Sequence, residues 1–159
     1  MSHQGQGIAM TKVYRVLAFV VAAGVAVQAA AIAYAVFGLT AWVSAGGTLD
    51  KAVLESRGGE LGFATHGIFG TMVMPLLALL FLVSSFFARV PGGVRWGLIV
   101  FGVTVVQIAL GIFSHALPGL GWLHGLTALI LFGVAVSAGL RVGRVSQDRV
   151  DAQVAAPVH

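Results

Sequence analysis

The chain has 159 residues, of which 58% are hydrophobic and only 9% are charged, with a formal net charge of +4. A soluble domain carries about 25% charged residues, so this composition is that of a membrane protein in contact with lipid. The basic residues lie in short clusters between apolar runs rather than in one patch, and no nucleic-acid binding is expected. The absence of cysteine excludes disulfides, thiolate catalysis and iron–sulfur clusters.

Four apolar segments are long enough to cross a membrane, since a spanning helix needs about 20 predominantly apolar residues. They cover approximately residues 13–37, 63–88, 96–117 and 121–140. Their apolar runs are continuous, whereas the strands of a membrane barrel alternate. The sequence therefore predicts an all-α integral membrane four-helix bundle over residues 1–144, followed by a flexible cytoplasmic tail over residues 145–159.

The first segment also has features of a signal peptide. Ala33-Tyr34-Ala35 has the A-x-A form of a cleavage site. The apolar region of a signal peptide normally has about 7–15 residues, and the run from Val16 to Ile32 is longer. We therefore expect this segment to be retained as a spanning helix.

The lysine and arginine residues predict the orientation of the bundle. One side carries Lys12, Arg15, Arg89, Arg95, Arg141, Arg144 and Arg149. The other side carries only Lys51 and Arg57, which Asp50, Glu55 and Glu60 offset. By the positive-inside rule both termini are cytoplasmic (N-in/C-in).

The same topology predicts the connections between the helices. Leu39 to Gly62 becomes an external loop with a short surface helix around Leu49 to Ser56, and Pro118 to Leu120 an external turn. Pro91-Gly92-Gly93 forms a tight cytoplasmic turn. Pro75 lies inside the second helix and should kink it, freeing a backbone carbonyl that neighbouring helices can satisfy.

Three histidines are predicted to reach similar depths near the external face: His66 in the second helix, His115 at the end of the third and His124 in the fourth. Ionisable side chains at membrane depth are costly and usually face the bundle interior. An interfacial position is the ordinary alternative, above all for His115.

Small residues accompany the histidines at helical spacing. The stripes are Gly62, His66, Gly70 and Met74; Gly121, His124, Gly125 and Ala128; Thr104, Gln107 and Gly111; and Gly24, Gln28 and Ala31. Such stripes also occur wherever membrane helices pack closely. Beside inward histidines they leave room for a flat, bulky group such as a haem, with His66 and His124 as axial ligands.

Other readings of these residues stay open. Gln28 and Gln107 are expected to form hydrogen bonds between helices, or else to line a ligand pocket. Met72 and Met74 are either packing residues or axial ligands. A zinc or copper site formed by the three histidines is a further alternative, but no inward carboxylate completes its set of ligands. No nucleophile motif or phosphate-binding loop is present.

From Phe63 to Leu140 the chain resembles one half of a haem A synthase. The matching stretches are Ala64-Thr65-His66, Gln107-Ile108-Ala109-Leu110-Gly111, Leu117-Pro118 and Leu123-His124. Through its turn Arg89-Val90-Pro91-Gly92-Gly93-Val94 the chain is also similar to small uncharacterised four-helix membrane proteins of actinobacterial type.

The resemblance to haem A synthases implies a four-helix bundle in which His66 and His124 hold a haem near the outer face. Those enzymes carry a glutamate about one helical turn before the first of these histidines. This chain has Gly62 and Phe63 there, and its nearest acid, Glu60, lies further out. The resemblance therefore implies haem binding without haem A synthase activity.

The sequence thus predicts a cytochrome b-like protein of the bacterial plasma membrane that binds haem b through His66 and His124. His115, Gly70, Gly125 and Gln107 are predicted to line the cofactor. Electrons would pass to or from a quinone or a partner protein, which makes the chain a carrier rather than a catalyst. The alternative is a haem-free accessory subunit of a larger membrane complex, such as a respiratory one.

Overall fold

The structure, a computed structural model, describes residues 3–57 and 61–155, and within them the chain contains helices and no strand. The helices are α1 (His3–Ser44), α2 (Lys51–Arg57), α3 (Leu61–Ile68), α4 (Met74–Phe87), α5 (Gly93–Ser114) and α6 (Gly121–Ala155). Four stretches are long and apolar enough to cross a membrane, which indicates a multi-pass membrane protein. We call them spans 1 to 4: Gly7–Ser44, Gly62–Phe87, Gly93–Ser114 and Pro118–Val142.

The first and last helices extend beyond the predicted apolar segments. Helix α1 begins at His3, and α6 continues to Ala155, so much of the segment expected to form a tail is helical. Hydropathy identifies only the apolar part of a helix, which lipid can surround. The helix itself can extend further, until a helix-breaking residue such as proline ends it. The sequence has no proline between Gly121 and Ala155. Residues 156–159 lie outside the described residues.

Span 2 is not a regular α-helix. A π-helical turn, Phe69–Val73, joins α3 to α4, and the Met74 amide donates a hydrogen bond to the Phe69 carbonyl. Pro75 follows directly; it lacks an N–H group, and in a regular helix its ring clashes with the carbonyl of the preceding turn. At the position where the sequence predicts a kink, the structure has this wider turn just before Pro75.

The connections between the helices agree with those predicted from the sequence. Gly92 precedes α5 with a φ of 70°, in the left-handed region that favours glycine. Pro118–Leu120 forms a 3₁₀ turn before α6. The predicted short helix in the longest connection is α2, and the Asp50 carboxylate accepts a hydrogen bond from the Val53 amide at 2.8 Å near its start.

The four spans form a closed ring. Helix α1 packs against α3, α4 and α6, and α5 packs against α4 and α6. Each span thus has two neighbours, and spans 2 and 4 face each other diagonally across the interior. We call the end of the bundle where α3 and α6 begin the histidine end, and the end with the Gly92 turn the arginine end.

The fully buried core lies toward the arginine end. In spans 2 and 4 the described buried hydrophobic side chains begin at Met74 and Leu131 and continue toward that end, and span 3 contributes Val100. Tyr14 stacks on Phe81 there with ring centroids 4.6 Å apart. The outer surface is apolar, with Phe37 74% and Leu129 70% exposed, as lipid contact requires.

Candidate functional site

His66 of span 2 and His124 of span 4 meet across the interior of the bundle. Their ring centroids are 6.0 Å apart, and the ring planes are inclined at 74°. Both side chains are half-buried. His124 shares the inward face of α6 with the core residues Leu131 and Ala135, because all three fall within a narrow arc of the helix. The structure therefore brings together the two histidines that the sequence singled out.

Span 1 fixes the orientation of the first of these rings. The Nδ1 atom of His66 lies 3.1 Å from the backbone carbonyl oxygen of Gln28. The Gln28 side chain reaches back and donates from Nε2 to the His66 carbonyl at 2.9 Å. Two hydrogen bonds thus join one residue of span 1 to one residue of span 2, and the predicted interhelical role of Gln28 is confirmed.

Span 3 holds the second ring in a related way. The Nδ1 atom of His124 lies 3.0 Å from the backbone carbonyl oxygen of Gln107. The two glutamine side chains contact different atoms. Gln28 Nε2 reaches a backbone carbonyl, whereas Gln107 Nε2 lies 3.4 Å from the ring nitrogen Nε2 of His124. Gln107, predicted to line the cofactor or join helices, joins spans 3 and 4 at the site.

These contacts determine which nitrogen of each ring carries the proton. A carbonyl oxygen only accepts hydrogen bonds, so each Nδ1 facing a glutamine carbonyl must be the N–H donor. In a neutral imidazole the other nitrogen, Nε2, then carries the lone pair. A histidine that binds a metal usually has this arrangement, with the distal nitrogen free and the N–H held by a carbonyl or carboxylate.

Two glycines make this arrangement sterically possible. A Cβ atom at Gly70 would lie 2.5 Å from the Gln28 Nε2 atom. A Cβ atom at Gly111 would lie 3.1 Å from Cε1 and 3.3 Å from Nδ1 of His124. Gly70, predicted to adjoin the cofactor, therefore makes room for the Gln28 amide, and Gly111 makes room for the His124 ring.

Two polar atoms at the site are buried without a partner. The side-chain oxygens of Gln28 and Gln107 accept no hydrogen bond within the described part of the chain. Leaving a buried acceptor unsatisfied costs about 1–3 kcal/mol, so residues that keep such atoms in an apolar bundle call for a functional explanation. In the sequence, these two atoms could have been anticipated from the position of both glutamines inside spanning segments, because a polar side chain is costly there.

The other predicted site residues lie away from the histidine pair. His115 is exposed, and its ring faces carbonyls of its own helix, Gly111 at 3.1 Å and Ile112 at 3.3 Å. Gly125 is also exposed, and a Cβ atom there would meet nothing within 4 Å. It lies about 100° around α6 from His124.

The methionines and the alternative metal sites can be placed as well. Met72 is 68% exposed, whereas Met74 is buried against Gly24. Among the residues that the structure describes, no group of three or more His, Asp or Glu side chains converges to hold a metal ion. The three histidines thus do not assemble into a zinc or copper site of that kind, whereas an axial haem site needs only two.

The site combines two imidazole rings, each oriented by a main-chain carbonyl at its Nδ1 atom, with apolar helices around them. With Nδ1 protonated in a neutral ring, each histidine can donate its Nε2 lone pair to an electrophilic centre. Comparison with protein family models, with curated proteins and with solved structures finds no match to this chain.

Proposed function

We propose that this chain is a membrane cytochrome b-like electron carrier that holds one haem b between His66 and His124. The observation that carries the proposal is the paired geometry of these rings: diagonal across the bundle, 6.0 Å apart, each with its Nδ1 at a glutamine carbonyl. When bound, haem b supplies a one-electron redox centre in an apolar setting.

The spacing of the rings fits a shared metal. Two imidazoles that hold one metal would each place a nitrogen about 2.0–2.1 Å from it, so their rings must lie close together. The observed separation is 6.0 Å. Ordinary aromatic pairs also have centroids about 4.5–7 Å apart, so the spacing supports the proposal only together with the protonation pattern.

The protonation pattern distinguishes this pair from two packed rings. Both Nδ1–H groups are directed to main-chain carbonyls on the neighbouring span, which leaves both lone pairs on the Nε2 atoms. Two neutral imidazoles whose acceptor atoms lack a strong donor are costly in an apolar interior. Coordination of one metal centre by both Nε2 atoms satisfies them together.

The packing of the histidine end supports a large apolar cofactor. Between Thr104 and Ser114 span 3 rises by about 15 Å, and no residue past Thr104 in that stretch is fully buried. The same holds in span 4 from Pro118 up to Leu131. In spans 3 and 4 the side chains of this half are thus only partly buried, which supports a site that a bulky group completes.

Gly62, one helical turn before His66, supports a carrier rather than an enzyme that oxidises haem. A Cβ atom at Gly62 would lie 2.7 Å from the Ala35 Cβ atom and 2.8 Å from the Ala31 carbonyl oxygen. A carboxylate side chain does not fit against span 1 at this position. This chain therefore offers neither the glutamate that haem A synthases carry nor the space for one.

The distribution of charge supports an orientation in which the arginine end and both termini face the cytoplasm of a bacterial cell, and the histidine end faces outward. The haem site then lies near the external face, where it exchanges electrons with a quinone in the lipid or with a partner protein. The hydrogen bonds described at the histidine pair join only histidine and glutamine residues.

The visible spectrum of the protein tests the proposal. We expect protein purified in mild detergent with haem supplied to give a six-coordinate low-spin spectrum in both redox states. His66→Ala and His124→Ala should each abolish that spectrum, because each removes one axial nitrogen. His115→Ala is the matched control and should retain it, since its ring contacts only its own helix.

Two outcomes would contradict the proposal. One is a colourless protein that is folded and monodisperse with haem in excess; this result would favour the haem-free accessory subunit. The other is a low-spin spectrum that is retained in His66→Ala or in His124→Ala.

A further inference from the structure

We infer that the two histidines are not equivalent: Gln107 is a positioning residue that caps the ligand nitrogen of His124, whereas the ligand nitrogen of His66 is uncapped. His124 must therefore lose a hydrogen bond before its Nε2 atom can hold the cofactor, whereas His66 need not. This inference rests on the proposed function and assigns a role to a residue that does not itself bind the cofactor.

On the His66 side the glutamine amide is fully engaged elsewhere. Gln28 Nε2 donates to the His66 backbone carbonyl at 2.9 Å, a distance typical of a good hydrogen bond. Gly70 gives that amide its space. No described group donates a hydrogen bond to His66 Nε2, so its lone pair is available.

On the His124 side the corresponding amide faces the ligand nitrogen. The Nδ1–H group of His124 is used on the Gln107 carbonyl, so Nε2 is an acceptor and the Gln107 amide must present its N–H group to it. Their separation of 3.4 Å is beyond the usual range, which makes this a weak hydrogen bond. The lone pair of His124 is thus occupied, but lightly.

The Gln107 amide can leave this position at little cost. Its oxygen has no hydrogen-bond partner, so a rotation of the amide breaks only the weak bond to His124. The backbone carbonyl of Gln107 keeps the ring oriented while the amide moves, because it belongs to the main chain of α5. Release of the cap therefore exposes the nitrogen without misaligning the ring.

Removal of the Gln107 amide should raise the haem affinity, whereas damage to the packing should lower it. A hydrogen bond to the lone pair competes with any metal that needs it, so a variant without the amide should bind haem more tightly. A weak neutral hydrogen bond corresponds to about a two- to fivefold change in affinity. Simple damage to the packing acts in the opposite direction and weakens binding.

The test compares haem titrations of Gln107→Leu and Gln28→Leu in the full chain. We expect Gln107→Leu to tighten haem binding about two- to fivefold. Gln28→Leu is the matched control and should not tighten it, since that amide bonds to a backbone carbonyl. Unchanged or weaker binding by Gln107→Leu, with a melting temperature equal to wild type, would overturn the inference.

A second measurement needs no haem. Nitrogen-15 spectra of labelled histidines in the haem-free protein should show both rings protonated at Nδ1. Gln107→Leu should shift the Nε2 resonance of His124 and leave that of His66 in place. Equal Nε2 environments in wild type would contradict the cap even if haem binds. A confirmed cap in a protein that never binds haem would refute the proposed function alone.

Discussion

At the scale of single residues, the site depends on hydrogen bonds from ring nitrogens to main-chain carbonyls. His66 and His124 each use a glutamine's backbone oxygen rather than its side chain to hold Nδ1. A main-chain acceptor survives most substitutions, so the orientation of each ring depends mainly on helix position. The two glutamine side chains make different contacts: that of Gln28 joins two spans, and that of Gln107 faces the Nε2 atom of His124.

The close approach of Gly111 to His124 gives a prediction at this scale. In Gly111→Ala the new Cβ atom would press on the ring at 3.1 Å from Cε1, and the ring cannot retreat without lengthening its bond to Gln107. We expect a loss of stability of about 1–3 kcal/mol and about a tenfold lower haem affinity, which corresponds to about 1.4 kcal/mol. Thermal unfolding and haem titration measure the two effects.

Gly133→Ala in span 4 is the control for that substitution. A Cβ atom there would meet nothing within 4 Å, so the variant should be as stable as wild type or slightly more stable. If the variants at Gly111 and Gly133 bind haem equally well, the ring of His124 does not depend on the space beside it.

At the scale of elements, the π-helical turn Phe69–Val73 sets the rotation of His66 relative to the core. A π turn holds one residue more than a regular turn, so the helix on either side keeps its direction while the extra residue is absorbed. His66 precedes this turn, and the buried residues Met74, Ala78 and Phe81 follow it. Pro75 maintains the turn from its C-terminal side.

This register predicts an unusual tolerance to deletion. Removal of Thr71, an exposed residue within the turn, should convert it to regular α-helix and leave His66 facing the interior. We expect this variant to fold and to keep the low-spin haem spectrum. Absorption spectra and melting temperatures of the purified protein provide the measurement.

Deletion of Leu79, also exposed but within the regular helix α4, is the matched comparison. It should rotate His66 by about 100° relative to Phe81 and abolish haem binding. Loss of the spectrum in both deletions, or in neither, would show that the π turn does not set the register.

At the scale of the whole molecule, the bundle has two halves with different tasks. The arginine end contains the close-packed core, including Phe81 and Leu131 at no more than 1% exposure. The histidine end contains polar side chains, two unpaired amide oxygens and no fully buried hydrophobic residue of spans 3 or 4 among those described. Stability therefore comes mainly from one half, and the proposed cofactor completes the other.

This division predicts uneven hydrogen exchange within one helix. In the haem-free protein the amides of residues 121–128 should exchange at least about tenfold faster than those of residues 131–142, because local opening follows packing. Haem should slow exchange in the first group and leave the second unchanged, since a ligand stabilises only the state that it binds. Mass spectrometry of exchanged peptides measures both groups in one sample.

Because both groups belong to α6, they share one detergent environment and provide an internal control. Uniform protection along the helix without haem, or protection by haem at residues 131–142 alone, would contradict the division into two halves.

The sequence by itself determined the number of spans, their approximate limits and the pairing of His66 with His124, since hydropathy and helical spacing depend only on residue order. It also grouped His115 with this pair, whereas the structure leaves His115 exposed. It did not determine the full length of α6, because a helix outlasts its apolar part. It also placed Gly125 with His124, although the structure leaves Gly125 on the exposed side of the helix.

Only the tertiary structure decided which carbonyl meets each histidine and where the two glutamine amides go. Every residue of a helix has a carbonyl, so the partner of an Nδ1–H group depends on how neighbouring helices are rotated and shifted against each other. The pairing of His66 with Gln28 and of His124 with Gln107, and the difference between them, are properties of that packing.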